Sequence, residues 1–453
     1  MEESLKRKLE DAGDVVTDTE LVKKQATVNK EPSCQSNVGQ VRIAVLLGYS
    51  GTKYHGIQLN NPHATIERVV LDVFQALGLI RDTDADHISL SRAARTDKGV
   101  HALGNVVSFL VSNFTFTGKE LATRLNEKLP EDIRVWDVLK VPMSFNPRLC
   151  CDSRLYEYYL PSFALIPPRT TCQLGKKMQP NLARKNLPDE EANFVRDIQQ
   201  EVNTFWESID TESIRLKDEF EKDPESFQNP YTKYFPDKPI PPHIKLPATV
   251  KLKKALKCVE RHSYMKYRVS STRLAFFQKA CEEYIGNHNF HNFTVNQDAA
   301  SRSSWRYIHS IQLGKPFVYK EWEWVPVFLH GQSFMLHQIR KMLAHAIMVV
   351  RTAAPISCVT KAFTETPLNI SRSPGHVLLL RNPVFSNIPQ DWKDKGYEDI
   401  HFDEHANAME KLADTQVFPQ MFEIEQKEQM FYNFLSYANA HAGTQFDYLY
   451  EES

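Results

Sequence analysis

From Val41 onward the apolar residues fall into an order of strands and helices that is run through twice, with a long charged stretch between the two runs. The first run opens with Val41-Arg-Ile-Ala-Val-Leu-Leu47, a strand pattern. Ile66, Val69, Val70, Val73, Phe74 and Leu77 then recur at helical spacing and stop before Gly78, which predicts an amphipathic helix over 66–77 with a glycine C-cap. Strands are predicted at 105–111, 133–141 and 154–160, and a helix at 118–128 that ends before Pro130. The second run predicts a helix at 273–286, strands at 304–312 and 324–334, and a long helix at 336–352. Such a succession fits a layered α/β or α+β architecture. The halves share this coarse grammar without a residue-level repeat.

The flanking regions read differently. Residues 1–40 are polar, free of aromatics and rich in charge, and are expected to be a disordered leader. Its clusters Lys6-Arg7-Lys8 and Lys23-Lys24 fit a nuclear address. Residues 169–265 follow Pro167-Pro168 and gather Pro236, Pro239, Pro241, Pro242 and Pro247, so they are expected to be an insertion of one or two surface helices with a Pro-rich hinge. Residues 387–453 are acidic, with apolar positions at helical spacing in 408–415 and 421–437, and predict helices packed on the outside. The expected organisation is therefore leader 1–40, first half 41–168, insertion 169–265, second half 266–386 and extension 387–453.

Charge follows the same division. The chain carries net −1, but its ends carry −2 and −10, which leaves +11 on residues 41–386. A basic body with acidic ends fits a polyanion partner, whereas acidic ends kept for solubility account only for the ends. No run of eighteen apolar residues exists, which excludes a transmembrane helix, and the N-terminus lacks the apolar core of a secretion signal. Seven scattered cysteines without CxxC spacing are expected to be reduced thiols inside a cell, and their spacing shows no zinc site.

Within the first half, Arg92-Ala-Ala-Arg-Thr-Asp-Lys-Gly-Val-His-Ala102 places one carboxylate, Asp97, between arginines and a Gly-Val turn. Arginine charge is expected to hold its pKa low, which suits a nucleophile or an electrostatic stabiliser. The residues also fit a turn aspartate that caps the next element and pairs with a flanking arginine.

With these residues laid out, the body resembles the TruA family of tRNA pseudouridine synthases, in its eukaryotic, fungal-type branch. The family's stretch around its catalytic acid, RTDxGVHAxGxVVxF, is matched by RTDKGVHALGNVVSF at 95–109. Asp97 is the catalytic aspartate by that resemblance. The family's YDGxxYxGxQ-like opening is matched by Tyr49-Ser-Gly-Thr-Lys-Tyr-His-Gly-Ile-Gln58, with Ser50 where aspartate is common. Arg154-Leu-Tyr-Glu-Tyr158 matches the RxYxY element and makes Tyr156 the active-site tyrosine. Phe334-Met-Leu-His-Gln-Ile-Arg340 matches FxxxMVR with Gln338 and Ile339 in place of Met and Val, and makes Arg340 the partner of the aspartate. In Gly286-Asn-His-Asn-Phe-His-Asn-Phe-Thr294, Asn289 replaces the family's aspartate and removes that charge. Ser373-Pro-Gly-His-Val-Leu-Leu-Leu380 matches the closing turn and strand more loosely, with Leu378 walling the pocket.

The resemblance implies an α+β fold: a mixed, mostly antiparallel sheet built from two ferredoxin-like halves with the catalytic cleft between them. It implies isomerisation of uridine in tRNA, and in some small nuclear and messenger RNAs, without cofactor or metal. That reaction breaks the N1–C1′ bond, turns the base and rejoins it through C5. It needs a carboxylate, a cation to hold it in a two-point fork, and a flat wall for the detached uracil; Asp97, Arg340 and Tyr156 fill these roles. Arg92, Arg95 and His101 are expected at the RNA, although a core position for His101 fits equally. A monomer in the nucleus is expected, with the mitochondrion or cytoplasm as alternatives. Two rival readings are an RNA-binding protein without activity, which has no evident need for the acid, and a hydrolase, which usually needs a second carboxylate.

Overall fold

The computed structural model describes residues 39–112, 114–235, 247–385 and 389–450. The leader with its basic clusters, and Pro236, Pro239, Pro241 and Pro242 of the expected hinge, lie outside the described residues. The compact body is Val41–Ser453.

Its frame is one ten-stranded sheet: β1 (Gln40–Tyr49), β2 (Ser91–Arg92), β3 (His101–Ser112), β4 (Ile133–Lys140), β5 (Ser153–Pro161), β6 (Gly286–Asn289), β7 (Trp305–Leu313), β8 (Phe317–Tyr319), β9 (Trp322–Gly331) and β10 (Leu378–Val384). The spatial order is β4-β1-β3-β10-β5-β9-β7-β6, with β2 on β3 and β8 on β9. β1 with β4, β2 with β3, β5 with β10 and β9, β7 with β6 and β9, and β8 with β9 pair antiparallel, and β3 pairs parallel with β10. This is the mixed, mostly antiparallel sheet that the resemblance implied. The last strand closes it at the middle, since β10 runs between β3 and β5 and places the end of the second half against the catalytic segments of the first.

Eight helices of nine or more residues are described: α1 (Ile66–Ala76), α2 (Gly118–Asn126), α3 (Asp189–Lys222), α4 (Ala248–Lys266), α5 (Ser271–Glu282), α6 (Gln338–Arg351), α7 (Phe418–Glu428) and α8 (Met430–Ala440). α1 begins where Thr65 accepts the Arg68 N–H and stops before Gly78, whose φ of +72° lets the chain turn out of the helix. α2 starts with a capping box between Thr117 and Glu120.

One expectation changes here. The insertion helices are not surface decoration: α3 buries Phe194, Ile198, Phe205 and Trp206, and Phe194 stacks on Phe276 of α5 at 3.6 Å. The acidic region forms helices packed on the body through their apolar positions, as expected. The predicted run at 421–437 breaks at Gln429 (φ +55°) into α7 and α8, which bury Met421, Phe422, Phe431 and Leu435. Phe422 lies 4.5 Å from the buried Trp324 of β9. The apolar positions read at helical spacing in 421–437 form the buried stripe, and one acidic residue, Glu425, is buried with them, 3.4 Å from His376 Nε2.

Candidate active site

Asp97 lies in the turn between β2 and β3, and its neighbours set the geometry of that turn. The Val100 N–H donates to the Asp97 carbonyl at 3.1 Å, and the Gly99 N–H to the Tyr54 carbonyl at 3.3 Å. Gly99 takes φ +76°, a conformation that a side chain would strain. Ile57 N–H donates to the Thr96 carbonyl at 3.2 Å, and the Thr96 and Tyr49 hydroxyls are 2.8 Å apart. From β3, the Asn105 side chain receives the Ala94 N–H and donates to the Ala94 carbonyl, at 3.3 and 3.0 Å. The 49–58 segment packs on this turn without clearance. A Cβ on Gly51 would lie 2.1 Å from the Val100 carbonyl oxygen, and one on Gly56 (φ +86°) 2.6 Å from that of Thr96.

Three segments distant in sequence meet at this turn. Arg340, in the first turn of α6, brings Nη1 to 3.9 Å from Asp97 Oδ2. Its Nε donates to the Ser373 carbonyl at 2.8 Å, and Ser373 returns its N–H and hydroxyl to the Arg340 carbonyl. The expected two-point fork is therefore absent: one guanidinium edge is spent on the segment before β10, and a single long contact reaches the acid. His337, at the N-cap of α6, places Nε2 at 3.6 Å from the same Oδ2. Tyr156 of β5 stands between Leu329 of β9 and Leu380 of β10, and its ring meets Phe334 edge to face at 5.2 Å.

Burial dominates the electrostatics. The Asp97 side chain is 30% exposed, yet its pKa is raised above 3.8, because loss of solvent outweighs the opposing pull of Arg340 and Arg372. This corrects the expectation of a depressed pKa. Burial lowers the Arg340 pKa from 12.5 while Asp97 raises it, and pushes the Tyr156 phenol well above its usual range. His337 is held down to about 3 by burial and by Arg372, Arg340 and Lys341, and is neutral at ordinary pH.

The other sequence candidates separate. Leu378 is buried in β10 opposite Tyr158. Arg95 is exposed in the turn that carries Asp97. Arg92 instead pairs through Nε and Nη2 with Glu67, a buried carboxylate in the first turn of α1. His101 is fully buried and cannot face RNA in this arrangement. Its Nδ1 accepts the Gly51 N–H at 3.2 Å, so the proton sits on Nε2 and is donated to the His376 carbonyl at 3.0 Å. With a pKa lowered to about 4 by burial, it is a neutral strut between the turn and the segment before β10. Asn289 holds its own loop, donating to the Ala299 carbonyl and accepting the His291 N–H.

Sequence reasoning passed over His337, Arg372 and Phe334. His337 and Phe334 stand inside the run that singled out Arg340, so their proximity was a usable signal. Arg372 carries none, because only the closing turn brings it to the acid.

The tRNA pseudouridine synthase family model matches residues 280–380. The chain is 46% identical to tRNA pseudouridine synthase 2 of Schizosaccharomyces pombe over 415 residues, 91% of this chain and 92% of that protein. It is 35% identical to tRNA pseudouridine synthase 1 of the same organism over 90% of this chain and 85% of that one. Against tRNA pseudouridine synthase 1 of Saccharomyces cerevisiae the identity is 34%, over 81% of this chain and 65% of the relative. The chain belongs to the TruA-type family of tRNA pseudouridine synthases, which isomerise uridine to pseudouridine.

Proposed function

We propose that this member of the pseudouridine synthase family isomerises uridines of tRNA in the cleft at Asp97, with Asp97 as the reacting carboxylate, Arg340 holding it and Tyr156 walling the uracil. The observation that carries the reading is the meeting of Asp97, Tyr156 and Arg340 from three segments far apart in the chain, on the two sides of β10. The reaction breaks N1–C1′ and forms C5–C1′; C5 loses a proton, N1 gains one, and no electrons are exchanged. Asp97 acts at the sugar or the base. A phenol held protonated by burial gives the base a flat neighbour, and takes the C5 proton only by releasing its own.

A uridine stacked in RNA must be flipped out to reach this cleft, which costs a few kcal/mol. Phosphate contacts offset that cost, and the exposed Arg95, Lys98 and Arg372 around the acid, on a body of net +11, suit them. The packing of α7 and α8 on the sheet supports a monomer, and the fungal-type resemblance supports a nuclear enzyme that also takes small nuclear and messenger RNAs. Among the described residues no helix is long and apolar enough to cross a membrane.

The test is tritium release from C5-tritiated uridine in bulk tRNA transcript, comparing wild type with Asp97→Asn. Release by wild type alone, with both proteins binding the RNA, is expected. Binding by both with release by neither would replace the isomerase with an RNA-binding protein.

A further inference from the structure

The geometry points to His337 as a positioning residue for this reaction: a neutral donor that works with Arg340 to fix one oxygen of Asp97 and present the other to the uridine. The inference rests on the isomerase reading. Three independent features support it.

The nearest approaches of His337 and Arg340 are to the same oxygen, Oδ2, at 3.6 and 3.9 Å. Two donors that converge on one oxygen define the plane of the carboxylate and leave Oδ1 for chemistry. Both gaps exceed hydrogen-bond length, so a closure of under about 1 Å on substrate would complete both bonds, as catalytic contacts often tighten only in the complex.

His337 also occupies a backbone conformation that a histidine enters at a cost. Its φ and ψ are 62° and 4°, the left-handed region, which costs a non-glycine residue about 1–2 kcal/mol. Its carbonyl starts α6 by accepting the Lys341 N–H at 3.0 Å. This backbone aims the side chain at Asp97, and a histidine is present where glycine or asparagine would fit with less strain.

The third feature is the partner on the ring. Arg372 Nη1 lies 3.5 Å from Nδ1 and 3.4 Å from Nε2 of His337. A guanidinium only donates, so it engages a ring lone pair. The near-equal distances to the two nitrogens do not choose between them; the choice comes from Asp97, whose carboxylate oxygen 3.6 Å from Nε2 only accepts, so the proton belongs on Nε2 and the lone pair on Nδ1 is left to the guanidinium. The groups facing the pair are Arg340 and Lys341 of α6, Arg372 of the closing turn and Tyr156 of β5. Burial first, and then the three cations, keep the imidazole neutral, so it steadies the carboxylate through a hydrogen bond without adding charge.

The experiment compares His337→Ala and His337→Asn with wild type in single-turnover tritium release across pH 5 to 8, with tRNA affinity and melting measured alongside. Asparagine accepts the left-handed backbone and retains an N–H donor. His337→Ala is expected to be about 10- to 100-fold slower with tRNA affinity within about twofold, as for loss of a group that orients a catalytic ligand. Because a donor lowers the pKa of the carboxylate it serves, the acid limb of the alanine profile should move to higher pH. His337→Asn should recover most of the rate and restore the limb. A rate within about twofold of wild type for alanine, or an asparagine variant as slow as alanine with the acid limb unmoved, would overturn the proposal. So would a loss confined to tRNA affinity, which would make His337 an RNA contact. If wild type itself released no tritium, the isomerase reading would have failed first.

Discussion

The two sides of the Asp97 carboxylate are built to different tolerances. On its own side, the turn is tied by backbone hydrogen bonds to Tyr54, Ile57 and Val100, braced by Asn105, and packed against two glycines with no room for a methyl group. On the far side, His337 and Arg340 stop at 3.6 and 3.9 Å, and Arg340 is anchored to Ser373 rather than to the acid. The acid is preformed, and its partners are left within reach but short of contact. This division suits an enzyme that must admit a flipped nucleotide before it completes its site.

Substitutions on either side should respond accordingly. Asp97→Asn should lower single-turnover release roughly ten-thousandfold or more, the scale of losing a reacting group. It should not lower Tm at neutral pH. A carboxyl whose folded pKa lies above its unfolded value contributes stability at low pH and loses it as pH rises through the folded pKa, so removing the charge removes that loss. Thermal melts at pH 7 check the sign.

Arg92→Ala should cost about 3–5 kcal/mol in denaturant unfolding, because it strands the buried Glu67. A large loss of tRNA affinity with normal stability would instead return Arg92 to the RNA. Gly51→Ala attacks the preformed side more gently, by overpacking worth about 1–3 kcal/mol. If it shifts the acid by about 1 Å, the rate should fall about a hundredfold, seen in kcat rather than tRNA affinity.

Buried histidines should also show in the acid range. His101 at about 4 and His345 at about 3 are buried neutral histidines, below the ordinary 6.5. The unfolded chain binds more protons than the native one between those values, so stability should be full above pH 6.5 and fall as pH drops toward 4. His101→Gln should flatten that fall in melts across the window. The smallest effect is expected at Gly375→Ala, on the adjustable side, where a Cβ would meet Arg340 Cζ at 3.1 Å and nudge the guanidinium by tenths of an ångström. A loss under about tenfold in rate would show that this side tolerates displacement; a loss equal to that of Gly51→Ala would erase the distinction.

Much of the fold was legible because its elements are patterned locally. The period of α1, its stop before Gly78 and the run of β1 follow from neighbours in sequence. The seat of β10 between β3 and β5 did not, since parallel pairing joins residues nearly three hundred positions apart and leaves no local mark. Asp97, Tyr156 and Arg340 were found by matching motifs, and spacing alone fitted a turn acid, a core tyrosine and a surface arginine. Of the two readings that fitted His101 the core one describes its place, and Arg92 is engaged by Glu67, for one reason: adjacency to a catalytic turn says nothing about which way a side chain points. His101 points into the protein and Arg92 to α1. The raised pKa of Asp97 escaped because flanking arginines can be counted in sequence and burial cannot.

The most direct test is a structure of the wild-type enzyme with tRNA carrying 5-fluorouridine at the target, since fluorine cannot leave C5 as a proton does. The preformed-acid account predicts that the backbone of 93–106 stays in place while Arg340 Nη1 closes from 3.9 Å to about 2.9 Å from Asp97 Oδ2. A turn that moves to the substrate while Arg340 and His337 keep their present distances would contradict it.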